Sequence, residues 1–140
     1  VAPPGARRYP RSMASKGRPY RTVLFDGWEI LVGRSSEDND YLTFDVAAPG
    51  DTWLHAGGGI AGSHVVVRNP DGAVVPRPVL ERAAGLAAGY SKARGAPRVE
   101  VHYCHRRDVS KPRGAPAGLV ELRSWKALKV APVRLADEPG

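Results

Sequence analysis

From residue 51 to 68 the chain reads DTWLHAGGGIAGSHVVVR, two β-prone runs joined by a loop of glycines. Trp53, Leu54 and His55 lead into the loop, and Ser63, His64, Val65, Val66, Val67 and Arg68 lead back out of it. Such a pattern dictates two extended segments whose connecting backbone a ligand can approach closely. Trp53, His55, Ser63, His64 and Arg68, held on strands beside an open loop, are therefore candidate site residues.

Other segments extend the same architecture. Residues 22–25 and 28–32 flank Asp26 and Gly27, the pair best suited to the positive φ angles of a two-residue hairpin turn. Residues 33–44, rich in Ser, Asp and Asn, are expected to form a polar loop turned by side chain to backbone bonds. After the turn Asn69-Pro70-Asp71-Gly72, residues Leu80, Ala83, Ala84, Ala87 and Tyr90 recur at three- and four-residue spacing. This spacing predicts a helix over 79–94, stopped by Gly95. Gly85 and Gly89 inside it would each cost about 1 kcal/mol relative to alanine, so they imply close packing on a sheet. Residues 98–104, 119–123 and 127–130 alternate as strands, with SKPRGAPAG linking the first two. The expected fold class is α+β, a mainly antiparallel β-sheet with one principal α-helix packed on it.

At 140 residues and 42% hydrophobic content the chain supports one domain with a modest core. We expect a disordered basic leader at 1–18, a folded domain at 19–133 and a flexible tail at 134–140, with Met13 a candidate natural start. No apolar run approaches the roughly 20 residues needed to cross a bilayer, and no signal-peptide pattern opens the chain. The expected location is cytoplasmic, with no membrane partner. The single cysteine, Cys104, excludes an intramolecular disulfide and fits a reducing compartment.

The net charge of +7 is unevenly placed. Residues 23–90 hold four basic and nine acidic side chains, whereas 91–130 hold ten basic and three acidic. A concentrated positive region attracts phosphate polymers or acidic surfaces through its summed field. A solvated face of an ordinary basic protein has the same composition.

Several strings then combine. Asp26-Gly27, Gly33-Arg34 followed by NDxLTF at 39–44 (here Asn39, Asp40, Leu42, Thr43, Phe44), and DxWLH at Asp51, Trp53, Leu54 and His55 occur in order. GSHVVVR at 62–68, YSKARG at 90–95 and KPxGA at Lys111, Pro112, Gly114 and Ala115 follow them. On these motifs the chain resembles the RNA-binding module of the NFACT family, whose large members act in ribosome-associated quality control. The resemblance runs from about residue 19 to 132 and leaves no room for the further domains of the large members, so it is similar to the free-standing bacterial version. The loop AGGGIAG at 56–62 supports this, because the large members carry a more polar stretch there.

The resemblance implies non-catalytic binding of RNA, with tRNA or rRNA as the partner, in translation quality control or tRNA metabolism. A ribosomal subunit or an RNA-modifying enzyme is a further possible partner, and the sequence leaves the oligomeric state open. The residues present suit that chemistry. Arg34, Arg68, Lys92, Arg94, Arg106, Arg107, Lys111 and Arg113 supply cations for phosphate, and the loop carrying 106–113 has few acidic neighbours. Trp53 and Tyr103 can stack on an unpaired base, and neutral His55 and His64 can bond a phosphate or a 2′-hydroxyl. Each has a structural alternative: the aromatics as core, the histidines satisfying each other or backbone groups, and Lys92 and Arg94 balancing a helix dipole. A protein-interaction module docking its basic face on an acidic partner is the competing function. A His-based enzyme using His55, His64 and Asp51 is weaker, because no nucleophile motif accompanies them. His102, Cys104 and His105 form one short HxCH cluster where a structural zinc site needs two, so neither metal nor cofactor is expected.

Overall fold

The computed structural model describes residues 19–133. The leader expected at 1–18 and the tail at 134–140 lie outside the described residues. Strands β1 (Tyr20–Phe25) and β2 (Trp28–Gly33) form the hairpin that the Asp-Gly pair calls for, with Asp26 at φ 50° and Gly27 at φ 81°. The next element differs from expectation. Within the anticipated polar loop, α1 (Ser36–Tyr41) continues into a wider π turn over Leu42–Val46. Ser35 caps it, its Oγ accepting from the Asp38 N–H at 3.1 Å, and Glu37 and Asp38 sit where the helix dipole favours acids. This segment is too short to show an apolar period, and its cap and first-turn acids are its local cues.

Strands β3 (Thr52–Ala56) and β4 (Val65–Val67) flank the glycine loop as predicted. The helix, α2 (Arg77–Gly89), ends five residues before the expected 94 because Tyr90 turns out of it at φ −103°. The chain then runs back along the glycine loop, with Lys92 N–H donating to Ala61 at 2.8 Å and Ser63 N–H to Tyr90 at 3.1 Å. Strand β5 (Val99–His105) follows, and a two-stranded arm of β6 (Val109–Ser110) and β7 (Glu121–Leu122) pairs apart from the main sheet. Strand β8 (Lys126–Val130) closes the fold.

The six-stranded sheet has the order β1-β2-β4-β3-β5-β8 and is antiparallel at every pairing. Its alternation gives it two apolar faces. Ile30, Leu54, Val65, Val101 and Leu128 face α2, where Val79, Ala83, Leu86 and Ala87 cover them. Leu31, Trp53 and Val66 point the other way and pack under Leu42, Val46 and Val109 of the π turn and arm. Full burial of each Val, Leu or Ile contributes roughly 1.5–3 kcal/mol, so both layers hold the sheet. Gly85 does mark close packing, but its neighbour is the segment after β8 rather than the sheet. A Cβ there would lie 2.9 Å from Val133, whose N–H donates to the Gly85 carbonyl at 2.8 Å.

Candidate functional site

Trp53 and His64, each 1% exposed, close on each other beneath the surface. The Gly118 carbonyl 3.0 Å from His64 Nε2 can only accept, so that nitrogen carries the hydrogen. Nδ1 then accepts from the Thr43 hydroxyl at 2.8 Å, and the hydroxyl oxygen accepts from Trp53 Nε1–H at 3.1 Å. The relay joins β3, the π turn, the start of β4 and the arm. Burial pushes the His64 imidazole down to about 3, so it is neutral at physiological pH. Asn39 completes the enclosure, its Oδ1 accepting from His64 N–H at 3.0 Å. Trp53 and His64, expected to stack on a base and to meet a phosphate, are almost wholly covered at the cleft floor with their polar groups bonded within the domain.

Three of the expected phosphate-binding cations are engaged in the same way. Arg68, 5% exposed, pairs with Asp51 at 3.2 Å and donates to the Val46 carbonyl at 3.2 Å. Asp51 also accepts from the N–H groups of Ala48 at 2.9 Å and Asn69 at 2.7 Å. Its partner is Arg68 and not a histidine, so Asp51, His55 and His64 do not form an acid–base set. Lys111, in the loop with few acidic neighbours in sequence, binds Asp40 at 2.9 Å and the carbonyls of Pro116 and Leu119. Arg106 lies over the Phe44 ring at 4.6 Å and donates to the carbonyls of Thr43 and Val109. Lys111 and Arg106 therefore clamp the arm to the body of the domain.

Over the sheet face beside this cluster lies an open cleft of about 900 Å³. The glycine loop forms one wall and the arm the other, with His55 and His102 between them. The loop lies close to its neighbours because Gly57 and Gly62 carry no side chain: a Cβ would fall 2.5 Å from His102 Nε2 and 2.7 Å from Ser91 Cβ respectively. His55 stacks on Trp53 with centroids 5.9 Å apart and holds its nitrogens 2.7 Å from the Ala56 carbonyl and 3.2 Å from that of Gly62. Burial lowers its pKa against the raising effect of those carbonyls. Ser63 is half-buried at the loop's exit.

The remaining expected cations are exposed. Lys92 and Arg94 ride on the stretch that braces the glycine loop, and Arg113 tips the arm. Arg34 lies at the approach to α1, and Arg107 follows β5 with its guanidinium 3.4 Å from His105 Nδ1. None of the eight expected cations lines the cleft itself; Arg123 does, held by Asp108 at 2.6 Å. Tyr103 faces the helix layer. His102 and Cys104 share the cleft face while His105 pairs on the other, and among the described residues no group of three potential metal ligands converges.

Sequence reasoning overlooked Trp125, His102 and Leu119 as lining residues. Trp125 and Leu119 are 51% and 50% exposed. Their cue was compositional: a tryptophan set between Arg123 and Lys126 in the turn before the last strand.

The model of the NFACT protein RNA binding domain matches residues 19–124. The chain belongs to that family. This NFACT RNA-binding domain is 39% identical over 136 residues to the Rqc2 homolog RqcH of Bacillus subtilis (strain 168), a match covering 89% of the chain and 23% of the relative. It is likewise 39% identical over 127 residues to the Rqc2 homolog RqcH of Streptococcus suis (strain 05ZYH33), covering 90% and 22%. The chain thus spans about a quarter of the length of these curated relatives. Among solved structures, the C-terminal part of the fibronectin/fibrinogen-binding protein from Streptococcus suis superimposes with a TM-score of 0.75 at 40% identity, covering 84% of this chain and 46% of that one. No helix among the described residues is long and apolar enough to cross a membrane.

Proposed function

We propose that this NFACT RNA-binding domain binds RNA without catalysing a reaction on it. Its partner is tRNA or ribosomal RNA, in the cytoplasm, within ribosome-associated quality control or tRNA metabolism. The observation that carries this reading is an open cleft whose walls and braces bear exposed Lys92, Arg94 and Arg113 on a domain of this family. Cations on separate loops around one concavity suit a folded polyanion, whose phosphates they meet while the concavity takes what projects from the backbone.

Binding of tRNA and rRNA fragments, followed by fluorescence anisotropy from about 50 to 300 mM salt, tests the reading. Counterion release makes log affinity fall linearly with log salt, by roughly 0.7 to 0.9 per phosphate neutralised. The triple variant Lys92→Ala, Arg94→Ala, Arg113→Ala is expected to weaken binding across RNA sequences and flatten the slope by up to about three. Absence of binding at about 50 mM salt, or a triple variant as tight and as salt-sensitive as the wild type, would overturn it. An acidic protein partner held by a packed interface would show the weaker salt dependence.

A further inference from the structure

We propose that the cleft is a receptor for one unpaired RNA base, with Trp125 as its stacking platform. This rests on the RNA-binding reading above and adds what the cleft itself takes.

Trp125 is a large ring left half in water, at 51% exposure, where tryptophans are on average highly buried. It is not loose. Its ring lies against His102 with centroids 5.6 Å apart and planes 32° from parallel. His102 is fixed in turn by Glu100, 2.9 Å from its Nε2, and by the close passage of Gly57. The aromatic surface is therefore supported from beneath and open toward the cleft, as a stacking site requires.

In the facing glycine loop two residues offer only main chain. Gly58 and Gly59 line the cleft at φ 70° and 75°, and a Cβ built on either would meet nothing within 4 Å. Bare backbone offers hydrogen-bonding groups to the edge of a flat ring without a side chain intervening. Leu119, 50% exposed, adds apolar contact from the arm. At about 900 Å³ the space falls within the roughly 300–1,000 Å³ of sites that enclose small ligands, enough for a nucleotide turned out of its stack.

A lysine with no ion-pair partner among the described residues lies on the platform's face of the sheet and suits a nucleic acid better than an apolar peptide. Arg123, held by Asp108, lines the cleft beside Glu121. Lys129 lies on the sheet face of Glu100 and His102, opposite the face of buried Leu128 and Val130. Lys129 is exposed and makes no ion pair among the described residues. A phosphate beside an inserted base would meet Lys129.

The test compares an RNA hairpin carrying 5-bromouridine in its loop with a closed duplex of the same stem, for the wild type, Trp125→Ala and Trp125→Phe. Stacking of one base predicts that Trp125→Ala weakens loop RNA by roughly 5- to 150-fold and duplex by less than about twofold, while Trp125→Phe restores most of the loss. Irradiation is expected to crosslink the loop base to Trp125 or its cleft neighbours, located by mass spectrometry. Thermal melts of the variants matching the wild type verify that each is folded. Unchanged affinity of Trp125→Ala for both RNAs, or crosslinks falling only outside the cleft, would overturn the receptor while leaving RNA binding in place. A wild type that binds neither RNA would remove the reading on which the receptor rests, and the receptor with it.

Discussion

Thr43→Val tests the relay beneath the cleft. Valine keeps the branched shape and removes the hydroxyl, leaving Trp53 Nε1–H and His64 Nδ1 without their shared partner in a site where both side chains are 1% exposed. An orphaned buried donor or acceptor costs about 1–3 kcal/mol, and the new methyl returns about 1 kcal/mol by burial. The net loss is about 3 kcal/mol, within a factor of two. For a chain of this size 1 kcal/mol moves the melting temperature by about 3–5 °C, so a fall of roughly 10 °C is expected. Thr43→Ser supplies the contrast, because it keeps the relay and deletes only a buried methyl, at about 1 kcal/mol and roughly 4 °C. Circular dichroism melts at pH 7.5, with urea titrations in parallel, read both variants. If serine proves as damaging as valine, the methyl rather than the hydroxyl holds the site together and the relay carries no energy.

Acid should weaken the fold through the same residue. His64 takes up a proton near pH 6.5 in the unfolded chain but only near pH 3 in the fold, so stability is complete above 6.5 and falls as pH drops below it. Between pH 7 and 5 His64 alone accounts for about 2 kcal/mol, and the lowered pKa of His55 adds in the same direction. Urea midpoints of His64→Gln across that range should be clearly flatter than the wild type, and an equal slope would place the titrating group elsewhere. Arg68→Ala leaves the buried Asp51 without its counter-charge, at a cost of about 3–5 kcal/mol. Measured at low temperature, where the variant remains folded, its RNA affinity should change by less than about twofold; a large loss would return Arg68 to the binding surface.

Much of the architecture was legible because it depends on local chemistry. The hairpin follows from Asp26 and Gly27 at positive φ, and the strands from their period of two. Residues 33–44 misled because their helix is short and is stabilised mainly by what covers it, with Leu42, Thr43 and Val46 buried against the sheet. The end of α2 was misjudged for a related reason: Lys92 and Arg94 suit a helical terminus, but residues 90–94 bond to the glycine loop instead.

The candidate site divides along the same line. By its residues alone the chain determined its family, its β-rich α+β class and the charge of its second half, since motif order, alternation and composition are properties of the linear string. Which polar groups meet solvent was decided only by folding. His64 finds partners 21 and 54 positions away, and Lys111 finds Asp40 across 71, so groups that look like ligands in sequence become the internal bonding of the domain. Trp125 stands in the turn before β8, outside both buried layers, and is left half exposed there. A buried polar group must be satisfied wherever a partner lies, and that distance is fixed by tertiary packing, not by spacing along the chain.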